Sequence, residues 1–476
     1  MRNLTMLTDL YQLTMMYGYF QNGMAGDIGI FDLFFRKNRE NSAYAVAAGL
    51  ESAIEYINNL HFTEEDIEYL RSLHLFDEAF LGYLKSFRFT GEIYAVPEGT
   101  VVFPHEPLIR VKAPILEAQF IETALLTLVN HQTLIASKAS RVVYAANGAD
   151  VMEFGLRRAQ GPDAGIYGAR AAVIGGCTGT SNVMTGELFS IPVKGTHAHS
   201  WVMSFPDELT AFRAYARTFP DSCLLLVDTY DSLRSGVPNA IRVFDELRAS
   251  GHKPLGIRLD SGDLAYLSKN ARAMLDEAGH EDVQIFASSD LDEMVIRDLR
   301  AQGAKIDTWG VGTRLITSSD HPALGGVYKL AAVIRNGELI HKIKRSDNLE
   351  KITNPGYKTV YRLYKKKNGK AIADLITLAD EVIDESKPLR IFDPNQTWKS
   401  MVLTDYTVRE LLVSVFVDGK QVYHSPDVHD IQAYAKEELA TMWEEYKRLL
   451  NPHVYKVDLS NRLYDLKQKL LRQQEG

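Results

Sequence analysis

A chain of 476 residues, 46% hydrophobic and 24% charged, has ordinary globular composition but more length than one ordinary domain uses. A formal net charge of −8 argues against a generic nucleic-acid binder, although local basic clusters can still hold phosphates. No apolar run nears the roughly 20 residues of a membrane span. The opening MRNLTMLTDLYQ lacks the basic-then-apolar plan of a signal peptide, and Cys177 and Cys223 read as reduced thiols, so a soluble cytoplasmic protein is expected.

Residues 1–60 predict a helix carrying TDLYQLTMMYGYF, a strand Gly29–Arg36 and a second helix around Tyr44–Asn58. Thr63-Glu-Glu-Asp has the form of a capping box and opens another helix. From Glu92 the pattern becomes short strands punctuated by Pro97-Glu98-Gly99 and His105-Glu106-Pro107. A long Ala/Leu-rich helix, about Pro114–Ala146, follows. Beyond Lys329 a hairpin turning at Asn368-Gly369 is predicted, with Lys365–Lys367 as its solvated strand end. Ile431–Leu450 and on to Gln474 read as charged amphipathic helices.

Between Val151 and Arg314 one unit recurs: an apolar run ends in small and polar residues, and an amphipathic segment usually follows. The run ends are EFG (Glu153–Gly155), GTSN (Gly179–Asn182), GTHAHS (Gly195–Ser200), VDTYD (Val227–Asp231), RLDSGD (Arg258–Asp263), SSDLDE (Ser288–Glu293) and GVGT (Gly310–Thr313). That alternation predicts a parallel β/α barrel at residues 147–335, whose chemistry belongs at the C-terminal ends of the strands. Residues 1–146 and 336–476 flank it, and the C-terminal segment is expected to pack on the N-terminal domain.

Four run ends carry candidate chemistry, each beside a plainer reading. The glycines of GVGT let backbone amides approach an anion, with the Thr313 hydroxyl adding a bond, or they simply make a tight turn. In RLDSGD, Arg258 offers a planar fork for a carboxylate or phosphate, and Asp260 and Asp263 suit ribose hydroxyls or Mg²⁺. Helix capping by the two aspartates and a structural ion pair for Arg258 is the alternative. GTHAHS places His197 and His199 two apart, too few ligands for zinc, yet an imidazole at a strand end can act as base or phosphoryl acceptor. In EFGLRRAQGPDAG, Phe154 with Arg157 and Arg158 would suit a flat anionic aromatic ligand, or Phe154 is core and an arginine is surface. Tyr11 and Phe34–Asn38 look like core and rim by themselves. Neither a Rossmann fingerprint nor a P-loop occurs, so nucleotide chemistry would need another kind of site.

Taken together, the strings resemble the nicotinate phosphoribosyltransferase family. The resemblance rests on LTDLYQLTM at 7–15, FDLFFRKN at 31–38, AAGLE at 47–51, EFGLRRAQGPDAG at 153–165, TSNV at 180–183, GTHAHS, GIRLDSGDL at 256–264 and WGVGT at 309–313. It implies an α/β fold, an irregular parallel β/α barrel with an additional α+β domain formed by the N- and C-terminal segments. It implies transfer of the phosphoribosyl group of phosphoribosyl pyrophosphate to nicotinate, with Mg²⁺ as cofactor and ATP as co-substrate, in a homodimer with shared sites. On the family's G-T-x-A-H motif, His199 would be the phosphohistidine, with Arg258 and Asp260 as its catalytic companions. Tyr11 (from the partner subunit), Phe154, Thr196, Ser181 and Arg258 would hold nicotinate. Arg36, Arg157, Asp263, Ser289, Gly310, Gly312 and Thr313 would hold phosphates and phosphoribosyl pyrophosphate, and Asp260 with Asp263 would hold the metal.

Rival readings differ at named positions. A nicotinamide enzyme would carry an acidic residue near Ser181, where a carboxylate would repel an acid substrate. Quinolinate enzymes lack G-T-x-A-H. A silent nucleotide-binding relative would not need RLDSGD, GTHAHS and GVGT all intact. A glycosidase would need two facing carboxylates, whereas Asp260 and Asp263 flank only a turn.

Overall fold

A computed structural model describes residues 3–473, and the chain divides into two compact units. One joins the residues up to Leu134 with those from Ala323 onward, and the other spans Ile135–Pro322.

The second unit is built on six parallel strands in the order Gly179–Thr180, Asp150–Glu153, Thr308–Val311, Gln284–Ser288, Gly256–Leu259 and Leu224–Leu226. Their apolar side chains, among them Leu225, Ile257, Leu259, Ile285 and Val311, are fully buried, as expected for parallel strands covered on both faces. Six of the seven run ends follow these strands. The seventh, GTHAHS, follows an irregular segment instead. Val193 makes an isolated parallel bridge to Thr180, and the Lys194 amide donates to the Thr180 carbonyl at 2.9 Å. On its other side the Thr196 hydroxyl donates to the Leu224 carbonyl, and the Leu226 amide donates to His197 Nε2 at 3.2 Å. The segment is thus joined to Thr180 by backbone pairing, in which the Pro192 carbonyl accepts the Thr180 amide at 3.1 Å, and to strand Leu224–Leu226 by the side chains of Thr196 and His197. The result is an irregular parallel β/α barrel.

Four of the helical segments that follow the strand ends are capped there by side chains. Side-chain oxygens of Asn182, Asp231, Asp263 and Asp292 accept backbone amides in the first turns that follow them. Cys177 and Cys223 are buried free thiols in this unit.

In the first unit, seven strands form one sheet in the order Glu338–His341, Gly326–Arg335, Ile28–Phe35, Ile109–Pro114, Glu92–Ala95, Val413–Val417 and Lys420–Gln421. Strand Ile28–Phe35 pairs antiparallel with Gly326–Arg335 on one side and Ile109–Pro114 on the other. The N- and C-terminal segments therefore share one sheet and one core, which makes them a single α+β body.

Local expectations mostly hold. Thr63 and Asp66 form the reciprocal capping box, and strands Lys358–Lys365 and Ala371–Leu378 make the hairpin, with Gly369 at φ +66°. Lys365–Lys367 are exposed. Three boundaries differ. The predicted 44–58 helix begins at Leu50, because Ala45–Val46 pair as a strand with Val101–Val102. The long helix is two, Ile115–Phe120 and Glu122–Ala146. The C-terminal helical run is interrupted by strand Val457–Leu459, which pairs in parallel with Ala371–Leu378. Partners far along the chain decide the first and third of these cases. Gln474, the predicted end of that run, and Met1 and Arg2 of the opening segment lie outside the described residues. Among the described residues no helix is long and apolar enough to cross a membrane.

Candidate functional site

At the strand ends of the barrel unit lies a cavity of about 480 Å³. It lies within the range of small-molecule sites, roughly 300–1,000 Å³. Its wall includes ten of the residues singled out from sequence: Phe154, Arg157, Ser181, Thr196, Arg258, Asp260, Ser289, Gly310, Gly312 and Thr313. Segments up to 159 positions apart in the chain (Phe154 to Thr313) thus converge, because all but GTHAHS end a strand of the same sheet and GTHAHS is tied between its two edge strands.

Phe154 follows strand Asp150–Glu153 and is held by its own amide donating to the Val311 carbonyl at 2.9 Å. A Cβ at position 310 would lie 2.6 Å from the Phe154 ring, so glycine there is what lets the ring lie over the neighbouring strand. Beneath it Glu153 is fully buried, and burial raises its carboxyl above the ordinary range. The Glu153 carboxylate accepts the Gly155 amide and the Thr180 hydroxyl (2.6 Å), while the Ser181 amide donates to the Glu153 carbonyl at 3.0 Å. One buried acid therefore ties the aromatic wall to the Ser181 wall.

RLDSGD divides its two aspartates between two tasks. Asp263 caps the next helix, its Oδ1 accepting the amides of Ala265 and Tyr266 at 3.0 Å each, and it is absent from the pocket wall. Asp260 faces the cavity, where its Oδ1 accepts from the Ser288 hydroxyl and, at 3.3 Å, from Arg258. The guanidinium of Arg258 is mostly buried, and its Nε has no partner within the chain. The VDTYD run repeats the arrangement. Asp231 caps, whereas Asp228 Oδ2 accepts the Asp260 amide (3.0 Å) and the Ser261 hydroxyl (2.6 Å), leaving a buried Oδ1 unpartnered. Asp228 was missed from sequence, although the shared Asp-x-x-Asp spacing of VDTYD and LDSGD was a usable signal.

The two histidines of GTHAHS also separate. His197 is 7% exposed, accepts the Leu226 amide on Nε2, and packs edge-on to Tyr215. Burial pushes its pKa down to about 4, so it is neutral and structural. His199 opens the helix His199–Met203 and is half exposed, with Nδ1 3.1 Å from the Thr229 hydroxyl and Nε2 3.8 Å from Asp260 Oδ2. It stands just outside the pocket wall. Thr196 lines the cavity while its hydroxyl proton is given to Leu224. Ser289 sits at φ +120°, a backbone state that costs energy outside glycine and recurs at ligand-binding loops.

Tyr11 and Arg36 belong to the other unit. Tyr11 is 47% exposed on the helix Leu10–Gln21. Arg36 lies in a basic cluster, its charge and that of Lys344 helping to depress the Lys329 ammonium, after burial.

The residues present fit a magnesium ion. Asp260 is on the cavity wall, and Asp228, which accepts the Asp260 amide, keeps one buried oxygen without a partner among the described residues; carboxylate oxygens are the donors a hard cation takes along with waters. Among the described residues no group of three or more His, Cys, Asp or Glu side chains is placed to hold a metal ion.

Comparison with known proteins gives matches along nearly the whole chain. The sequence matches the nicotinate phosphoribosyltransferase (NAPRTase) N-terminal domain over residues 6–130, the NAPRTase family over 149–368 and the nicotinate phosphoribosyltransferase C-terminal domain over 357–467. It is 50% identical over 458 residues to nicotinate phosphoribosyltransferase of Bacillus subtilis, covering 96% of this chain and 93% of that one. The human protein of that name is 33% identical, covering 97% of this chain and 95% of that one. The crystal structure of human nicotinic acid phosphoribosyltransferase superposes with a TM-score of 0.86 at 32% identity, over 97% of this chain and 99% of that one. Nicotinate-nucleotide pyrophosphorylase from Pyrococcus furiosus shares the fold, with a TM-score of 0.71 at 22% identity over 92% and 96% of the two chains.

Proposed function

This chain belongs to the nicotinate phosphoribosyltransferase family, and from that premise we propose that it transfers the phosphoribosyl group of phosphoribosyl pyrophosphate to nicotinate. The products are nicotinate mononucleotide and pyrophosphate, the entry of nicotinate into NAD synthesis. The observation that carries this reading is the convergence, in one cavity, of an aromatic wall (Phe154), a guanidinium short of partners (Arg258) and a glycine-rich loop (Gly310–Thr313).

Each part has a task that its chemistry suits. The pyridine ring stacks on Phe154, and its carboxylate pairs with Arg258. Ser181 and Thr196 complete the nicotinate wall. The amides of Gly310 and Gly312 with Thr313 take the 5′-phosphate, and Arg157 and Ser289 hold the pyrophosphate side. Nicotinate attacks through a ring nitrogen that carries no proton, so no general base is needed. The transition state is oxocarbenium-like, and the nearby Asp260 carboxylate favours positive charge at the anomeric carbon. Magnesium at Asp260, with Asp228 alongside, would neutralise the departing pyrophosphate. Asp263, expected beside it, spends Oδ1 on its helix cap.

His199 is the proposed phosphoryl acceptor from ATP. Its ring nitrogen takes the γ-phosphoryl group as ADP leaves, and water later returns phosphate and free histidine. Asp260 and Thr229 orient the ring. The doubly charged phosphohistidine then orders the strand-end loops around the substrates.

Two copies complete the site. The helix Leu10–Gln21 exposes Leu10, Tyr11 and Met15, and the helix Val183–Phe189 exposes Val183, Met184 and Leu188, apolar surface of the kind a homodimer covers. In that dimer Tyr11 and Arg36 reach the partner's cavity, Tyr11 closing over the pyridine ring and Arg36 over phosphate.

The test is incubation with phosphoribosyl pyrophosphate and Mg²⁺, offering nicotinate, nicotinamide or quinolinate, each with and without ATP. Nicotinate mononucleotide forms fastest with ATP. Absence of product from every base, in folded protein, overturns the reading in favour of a nucleotide-binding relative without activity.

A further inference from the structure

The first unit holds a second cavity, of about 340 Å³, that the reaction above does not use. Ile352, Ile376, Val457 and Leu459 give it an apolar floor, while His105 and Lys467 bring two nitrogen bases to its wall. Such a mixture, mainly apolar with a few convergent polar groups, is the composition of small-molecule sites, and the volume falls in their range of roughly 300–1,000 Å³.

The local charge is one-sided. Lys467 Nζ makes its hydrogen bond to the neutral Asn354 side chain, at 2.9 Å, rather than to a carboxylate. Burial, then the Lys358 charge, brings its ammonium down to about 8. The His105 ring falls to about 4 through burial and then the positive charges of Lys467 and Arg36. Two acids close by are already engaged: Asp32 pairs with Lys358 at 2.7 Å, and Glu350, half exposed on the cavity wall, pairs with Lys37 at 2.8 Å. His105 is also pinned in left-handed backbone, φ +70°, by its amide donating to the Phe35 carbonyl at 2.8 Å, so this wall is preformed at a conformational cost.

We propose that this cavity binds an amphipathic monocarboxylate, the carboxylate on Lys467 Nζ and the hydrocarbon body on Ile376, Val457 and Leu459. An inorganic anion would leave the apolar floor uncovered, and a neutral hydrocarbon would leave the lysine without its counter-charge. A carboxylate with a chain of several carbons answers both.

Calorimetric titration of the full chain with octanoate, octanamide and sulfate tests this. Octanoate binds one site per chain, octanamide binds at least tenfold more weakly, and sulfate does not compete. Lys467→Met weakens octanoate at least tenfold while the phosphoribosyl transfer rate, read as the folding control, stays within twofold. Arg258→Ala, which removes the carboxylate partner in the barrel cavity, leaves octanoate affinity unchanged. Crystals of the unaltered protein soaked in octanoate, which need no variant, place the carboxylate within hydrogen-bond distance of Lys467. Silence on titration, equal affinity of Lys467→Met, displacement by sulfate, or loss of binding in Arg258→Ala would each overturn the proposal. None of these outcomes bears on the nicotinate reaction.

Discussion

Each unit holds an arginine that is wholly or mostly buried, and the two arginines use charge in opposite ways. In the first, Arg362 is wholly buried and saturated: Asp374 pairs at 2.6 Å, Glu438 at 2.9 Å, and the Val101 carbonyl accepts at 2.6 Å. Phe103 and Tyr455 stack at 3.8 Å beside it, and the Tyr455 hydroxyl also donates to Asp374. In the barrel unit, Arg258 is held by one 3.3 Å bond to Asp260 and keeps a buried Nε without a partner, and Asp228 keeps a buried unpartnered oxygen. A buried charge left short of partners is a standing energetic cost, and at the end of a strand it marks where a ligand completes the set. Saturation is the signature of architecture. Deficit is the signature of a site.

That contrast can be broken by substitution. Arg362→Met leaves buried Asp374 without a cationic partner and Glu438 with Arg409 alone, and should lower unfolding free energy by about 3–5 kcal/mol, measured by denaturant titration. Arg258→Ala should do the reverse, lowering kcat/KM for nicotinate by about 100-fold or more with a melting temperature near that of the parent. If Arg258→Ala unfolds the protein instead, its partner deficit is not a functional one.

Protonation sharpens the comparison within the barrel. His197 titrates near 4 in the folded chain, below the ordinary imidazole value of roughly 6.5. Between those values the unfolded chain binds a proton that the folded chain refuses, so stability falls as pH drops through this window and is fully present above it. The loss should reach about 1–3 kcal/mol near pH 4. His197→Gln, which can still accept the Leu226 amide, should flatten part of that slope in melts taken from pH 7 to 4.

The smallest expected effect separates the two aspartates of RLDSGD. Asp263→Ala removes a helix cap and should lower stability by about 1 kcal/mol, whereas Asp263→Asn, which caps equally well, should not. Both should keep the magnesium dependence of the reaction. Asp260→Asn should raise the magnesium concentration needed for half-maximal rate at unchanged stability. A magnesium shift in Asp263→Asn would return that residue to the site.

Much of this was legible along the chain because parallel strands buried on both faces must be nearly continuous apolar runs, and their ends must turn. Periodicity therefore located seven run ends and, with them, Phe154, Arg258, Asp260 and Gly310–Thr313. It did not distinguish Asp260 from Asp263, since either aspartate in a turn can cap or face a cavity. The cap depends on where the following helix starts. Asp228 escaped for the same reason, and His197 looked like a variable loop residue because its acceptor role needs the Leu226 amide, 29 positions away.

The amino-acid sequence by itself determined the alternation of strand and helix, the strings at the strand ends and the family they belong to, all set by short-range pattern and spacing. Tertiary structure alone decided that residues 192–197 link the edge strands, by backbone bonds to Thr180 and by the Thr196 and His197 side chains to strand Leu224–Leu226. It alone decided that Val457–Leu459 is a strand, and that one aspartate of each pair caps while the other faces the cavity. In the first two cases the deciding partner lies far along the chain, where local propensity carries no information; in the third the cap itself is local, and only the aspartate that faces the cavity is held by distant partners.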